Sequence, residues 1–138
     1  MPITVTILTP DRSLLEAEEC REVELPGAGG RLGVLEGHTP LVTPLGIGEI
    51  RLYQSGPAPS RRIAAAGGFV EVTPEKVLVT ARAAELADDI DADRARAAKR
   101  RAEQRLRKRG PDLDVERAEA ALARALNRIR VAGTGHGE

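Results

Sequence analysis

Residues 77–109 read VLVTARAAELADDIDADRARAAKRRAEQRLRKR, and within this stretch the chain changes from strand to helix. Val77-Leu78-Val79-Thr80 is a short β-branched run that follows the turn residues Thr73-Pro74-Glu75. From Asp91 to Arg109 the pattern is different: Ala95, Ala98, Ala102 and Leu106 fall at i, i+3, i+7 and i+11, on one helical face. The change comes after Glu85, where punctuation and charge change too. Eight of nine prolines and ten of fourteen glycines precede Glu85, whereas between Leu86 and Ala132 there is one Gly110-Pro111 pair. Residues 1–85 carry 8 basic and 11 acidic side chains, and residues 86–138 carry 13 and 10.

Towards the N-terminus the chain reads as short strands separated by Gly/Pro turns. Ile3-Thr4-Val5-Thr6-Ile7 alternates with period two, Val23-Glu24-Leu25 ends at Pro26-Gly27, and Glu49 to Tyr53 ends at Ser55-Gly56-Pro57. Arg61 to Ala65 and Phe69 to Val72 flank Gly67-Gly68, which reads as the turn between two strands. Many strands without intervening helices predict an antiparallel β-sandwich over residues 1–85.

Towards the C-terminus a second helix follows, with Ala118, Leu122, Ala125 and Ile129 at i, i+4, i+7 and i+11, again on one helical face, joined by Leu126, until Gly133. Residues 86–138 therefore read as an antiparallel two-helix hairpin ending in a disordered tail over 133–138, and the fold class is α+β. Each helix opens on the same phrase, Ile90-Asp91-Ala92-Asp93-Arg94-Ala95 and Leu113-Asp114-Val115-Glu116-Arg117-Ala118. An Asp before the first turn accepts a free backbone N–H, and the acid after it faces the positive end of the helix dipole. The seam is mostly alanine. One methyl buries about 0.8 kcal/mol, so such a seam closes weakly and suits a two-state element.

Composition excludes several functions. The chain has 138 residues, 21 Lys+Arg against 21 Asp+Glu, and only Tyr53 and Phe69 as aromatics. Zero net charge argues against a globally basic nucleic-acid binder, and two rings cannot build a base-stacking platform. No apolar run approaches the roughly 18 residues that cross a bilayer, and Met1-Pro2-Ile3-Thr4 is not a secretory opening, so a soluble, unexported chain is expected. Cys20 is alone, which removes an internal disulfide, and His38 and His136 are too few to complete a zinc cluster. Cys20 reads as a small buried residue.

Tests for chemistry come out negative. Gly27-Ala28-Gly29-Gly30-Arg31-Leu32-Gly33 lacks the helix that a dinucleotide loop needs directly after it, because Pro40 and Pro44 follow. It reads as tight turns at one edge of the sandwich. No Gly-x-Ser-x-Gly elbow occurs, and neither histidine sits in a triad pattern. From Arg94 to Arg109 nine basic side chains face one acid, Glu103. That run is a solvated face or the surface for a polyanionic partner.

The stretch from Gly30 to Leu45, GRLGVLEGHTPLVTPL, with Gly48, Arg51 and the later Gly67-Gly68-Phe69-Val70-Glu71-Val72, resembles the epsilon subunit family of bacterial F-type ATP synthase. The resemblance runs from Ile3 to Ala132. It implies a β-sandwich of about ten strands with a C-terminal helical hairpin. It further implies a non-catalytic rotor subunit on the cytoplasmic face of the bacterial membrane, peripheral to it through the complex. The sandwich would clamp the gamma subunit to the c-ring through Arg31, Gly33, Glu36, His38 and Pro40. The hairpin would extend to restrain ATP hydrolysis, with Arg100, Arg105, Arg107, Lys108 and Arg109 meeting an acidic stretch of the beta subunit in the alpha/beta head.

Some members of that family bind ATP in the folded hairpin, which here places Ile90, Asp91, Arg94, Ala95, Arg101, Arg124 and Arg128 around a regulatory ATP. No cofactor is required by this reading. Two positions depart from the family pattern: Glu36 stands where many members have proline, and Arg31 where glutamate is common. A second reading stays beside the first, a free-standing nucleotide- or nucleic-acid-binding module working through the basic helix.

Overall fold

The structure is a computed structural model and describes residues 2–134. Two compact units divide between Leu86 and Ala87. The first contains eight strands: β1 (Ile3–Leu8), β2 (Ser13–Cys20), β3 (Glu22–Gly27), β4 (Gly30–Leu35), β5 (Leu41–Pro44), β6 (Ile47–Tyr53), β7 (Arg61–Val72) and β8 (Lys76–Leu86). They follow the order β2-β1-β8-β7-β6-β3-β4, with β5 also on β7. All pairings are antiparallel except one. β1 runs parallel to β8, with Thr4 opposite Lys76 and Leu8 opposite Thr80, so the sheet is mixed rather than purely antiparallel.

Gly67-Gly68 does not separate two strands; it lies inside β7, the longest strand. The two glycines have φ of 73° and 115°, and a Cβ at Gly68 would collide with the Thr80 carbonyl oxygen. Their effect is a change of phase. Before them Ile63 and Ala65 point inward, and after them Val70 and Val72 do. The partner changes at the same place: residues 61–66 pair with β6, and residues 69–72 pair with β5. β8 follows β7 along both segments, with Ile63 opposite Leu86 and Val72 opposite Val77. Eight strands therefore build a two-layer fold where the resemblance implies about ten, because β7 and β8 each serve both layers.

The core is made of branched aliphatic side chains. Ile3, Val5, Ile7, Val23, Leu25, Ile50, Leu52, Ile63, Val70, Val72, Val77 and Val79 are all essentially inaccessible. On β1 and along residues 76–82 of β8 they alternate with exposed or half-buried positions, as period-two geometry requires. Cys20 is buried among them, and burial pushes its thiol up to about 11.

The second unit holds a short 3-10 turn at Ala87–Asp89 and two helices, α1 (Ala92–Lys108) and α2 (Val115–Thr134). Asp91 caps α1, its Oδ1 accepting the Arg94 N–H at 3.0 Å, and Asp114 caps α2 by accepting the Arg117 N–H at 3.1 Å. Arg109 leaves helical geometry, and the Leu113 N–H closes the Gly110–Leu113 turn on the Gly110 carbonyl at 3.1 Å. Ala95, Ala102, Ala118 and Ala125 are buried, whereas Leu126 is 42% exposed and lies outside the seam to which the sequence assigned it. Nor does Gly133 end α2, which runs on to Thr134, since the chain keeps helical geometry through that glycine. The rest of the expected tail, 135–138, lies outside the described residues.

Candidate docking surface and regulatory hairpin

The glycine-rich segment is a β-hairpin. Gly27 pairs with Gly30 across the two-residue turn Ala28-Gly29, and Gly30 takes φ 137°, which a side chain would resist. Arg31 is therefore on β4, one residue past the turn, opposite Pro26. Gly33 lies two residues further along, opposite the half-buried Glu24, and Arg31 and Gly33 are exposed. Glu36 is exposed in the turn after β4, followed by Gly37, whose N–H donates to the Pro74 carbonyl at 2.9 Å. His38 is half-buried; its N–H donates to the Leu35 carbonyl at 3.2 Å, and its Nδ1 lies 2.6 Å from the Thr39 carbonyl oxygen. Pro40 is exposed just before β5. These five residues thus share one continuous segment, from the hairpin tip to the start of β5.

Beside this segment lies a surface that the sequence reading missed. Val42 on β5 is 66% exposed and Phe69 on β7 is 59% exposed. Because Val42 opposes Glu71 and Pro44 opposes Phe69, all four project from the same face. Leu35, at the end of β4, is 57% exposed. The signal that could have found Phe69 is Glu71. A charged residue marks the outward phase, and Phe69 shares it two positions earlier.

The neighbouring outer face is polar and tightly paired. Glu49 is only 5% exposed and is held by Arg51 and Arg62. Arg51 also approaches Glu24 at 3.6 Å, and the Tyr53 hydroxyl donates to Glu24 Oε1 at 2.7 Å. The hydrogen bond to Glu49 holds Arg51 protonated more firmly, and the bond to Glu24 raises the Tyr53 hydroxyl above its usual range. Arg61 grips Glu18 bidentately, with Nη2 to Oε1 at 2.9 Å and Nε to Oε2 at 3.0 Å.

In the hairpin, Ile90 and Ala95 are half-buried and buried, while Arg94, Arg101 and Arg124 are exposed and Arg128 is half-buried. Asp91 uses Oδ1 on its own helix cap. An antiparallel hairpin folded at residues 109–114 returns Arg128 towards the height of Arg94, and Arg124 towards that of Arg101. A groove of about 490 Å³ at the turn end is lined by Arg101, Gln104, Arg105 and Lys108 of α1, with Pro111, Asp112 and Leu113 from the turn. It gathers Arg101 with two members of the other basic set. Arg100, Arg107 and Arg109 are exposed but do not line it. Among the described residues no group of three His, Cys, Asp or Glu could hold a metal ion. No helix among them is long and apolar enough to cross a membrane.

The family model for the ATP synthase, Delta/Epsilon chain, beta-sandwich domain matches residues 2–87, and that for the long alpha-helix domain matches residues 88–133. The chain belongs to the ATP synthase delta/epsilon chain family. Among its relatives, the ATP synthase epsilon chain of Bacillus pumilus is 48% identical over 104 residues, 75% of this chain and 77% of that one. The epsilon chain of Anoxybacillus flavithermus is 49% identical over 104 residues, 75% of each chain. A chain in the Euglena gracilis mitochondrial ATP synthase structure, OSCP/F1/c-ring in rotational state 1, shares the fold, with a TM-score of 0.75 at 22% identity, over 96% of this chain and 81% of that one.

Proposed function

We propose that this chain is a non-catalytic subunit of the central stalk of an F-type ATP synthase, joining gamma to the c-ring so that proton flow drives ATP synthesis. The observation that carries the reading is the apolar face of Val42 and Phe69, both exposed, next to the exposed Arg31, Gly33, Glu36 and Pro40, since large apolar groups left in water mark a docking surface. His38, Glu36 and Pro40 supply the polar rim of that surface. The complex holds the chain at the cytoplasmic face of the membrane. This reading replaces the free-standing nucleotide- or nucleic-acid-binding module.

The hairpin regulates. Its alanine seam closes weakly, and the exposed Arg100, Arg105, Arg107, Lys108 and Arg109 suit an acidic surface of the catalytic head in the extended state. ATP bound through Arg94, Arg101, Arg124 and Arg128 stabilises the folded state by RT ln(1 + [L]/Kd).

Co-purification with gamma tests the docking. The expected result is a stable complex that Phe69→Glu weakens at least about tenfold, since a buried interface charge costs more than 1.4 kcal/mol. A chain indifferent to gamma at micromolar concentration refutes it. Calorimetry with millimolar ATP tests the switch: heat is expected, reduced by Arg94→Ala, and no heat on a folded hairpin overturns the ATP arm.

A further inference from the structure

The groove at the turn end of the hairpin joins residues of two sets. Arg101 belongs to the arginines proposed for ATP, and Arg105 and Lys108 to the cations proposed for an acidic surface of the head. All three line the groove together with Gln104. Helical spacing explains the grouping. Arg101, Arg105 and Lys108 stand at i, i+4 and i+7, a ridge along α1 beside the seam that buried Ala95 and Ala102 define. Arg100 and Arg107 each precede a groove cation by one residue, which rotates them by about 100° from it, and neither lines the groove.

These three cations differ from others in the chain in lacking an acid. Arg51 and Arg62 hold Glu49, Arg61 holds Glu18, and on α1 itself Arg96 pairs with Asp93. The side chains of Arg101, Arg105 and Lys108 make no hydrogen bond or ion pair among the described residues. Asp112 is the one carboxylate of the lining, so three positive charges face one negative. Like charges at i, i+3 and i, i+4 repel along a helix, so this ridge is unfavourable until an anion joins it. The negative pole of α1 lies nearby, but the Arg109 Nε donates to the Leu106 carbonyl at 3.1 Å and covers one of the open carbonyls there. On the turn side Pro111, Asp112 and Leu113 bound the groove, whose volume is about 490 Å³. A hollow of that size suits a compact polyanion better than a helix.

We propose that this groove binds a phosphate chain, free or carried by a nucleotide, through Arg101, Arg105 and Lys108, and that an anion seated there withholds Arg105 and Lys108 from acidic protein surface. Guanidinium forks grip phosphate oxygens bidentately, and the lysine adds a point charge. A phosphate chain concentrates several charges in a short span, as a ridge of three neighbouring cations requires. Arg94 lies two helical turns before Arg101 and is not needed for this site. The second clause rests on the proposed contact between the basic hairpin and the head. It adds direct competition to a regulation that otherwise works only by stabilising the folded state.

Titration of the full chain with sodium tripolyphosphate and with ATP at about 150 mM salt, followed by residue-resolved amide NMR shifts, tests this. Saturable shifts at Arg101, Arg105, Lys108 and Leu113 are expected below about 1 mM tripolyphosphate, and they persist in Arg94→Ala. Replacing the exposed pair, Arg105→Ala with Lys108→Ala, is expected to weaken binding at least about tenfold. In the Arg94→Ala background, saturation by both anions assigns the site to any phosphate chain and saturation by tripolyphosphate alone assigns it to free polyphosphate; either supports the proposal. Saturation by ATP alone shows that the nucleoside is read and overturns it. So does an absence of saturation up to about 10 mM, or an equal loss on replacing Arg100 and Arg107 by alanine, which marks a diffuse counter-ion cloud. Loss with Arg94→Ala but not with the Arg105 and Lys108 pair overturns this site and leaves the ATP switch standing. Hexaglutamate serves as the acidic-surface probe, and saturating tripolyphosphate is expected to raise its apparent Kd at least about fivefold. An unchanged Kd overturns the competition, and hexaglutamate binding the groove more tightly than tripolyphosphate makes an acidic segment the occupant and overturns the phosphate assignment.

Discussion

Ala17 is the one non-glycine residue in the left-handed region among the described residues, with φ 44°, and its N–H donates to the Thr6 hydroxyl at 3.0 Å. Left-handed geometry costs an alanine about 1 kcal/mol that glycine avoids. Ala17→Gly is therefore expected to raise the urea midpoint by about 0.5–1 kcal/mol of stability, and a fall would contradict the strain. Cys20 gives a pH prediction. Its folded thiol titrates near 11 against an ordinary 9.0, so the folded state holds the proton more tightly. The contribution is complete below the unfolded value and is lost as pH rises through the folded one. Unfolding free energy measured from pH 8 to about 11 should fall more steeply for the parent than for Cys20→Ala.

Elements that follow one period were legible in the sequence. β1, α1 and α2 keep strict spacing, and the repeated Asp phrase marks both helix caps. Removing either cap, Asp91→Ala or Asp114→Ala, is expected to cost about 1 kcal/mol by thermal unfolding followed at the helical band, because each strands one N–H. The elements that escaped each break a rule. β2 changes its inward phase between Leu15 and Cys20 at the Ala17 irregularity, so no alternation survives. β4 is rich in glycine, and β5 is four residues ending in proline. In β7 the same glycines that signal a turn instead shift the phase of a continuous strand. The residues proposed for docking were visible as a motif. The apolar face beside them was not, because exposure of Phe69 and Val42 depends on that phase.

For the whole molecule, the zero net charge is a cancellation between an acidic sandwich and a basic hairpin. The two units also differ in what holds them. The sandwich buries a full set of Val, Ile and Leu, whereas the described helices bury four seam alanines with Val131, Ala132 and Asn127. Four methyls contribute roughly 3 kcal/mol at about 0.8 each, little against the ordering of two helices. Circular dichroism is expected to show that residues 1–86 alone keep their strand signal while residues 87–134 alone lose most of their helix. A free hairpin with full helicity would contradict this.

β7 and β8 pass from one layer to the other without a break, and this has a mechanical meaning. A sandwich whose layers meet only through side chains can shear, because the aliphatic interface between them resists sliding weakly. Here a load applied to the Phe69 face travels along two covalent chains into the layer of Glu49 and Arg51. Under such a load the first unit deforms as one piece, its stiffness set by backbone and ladder hydrogen bonds.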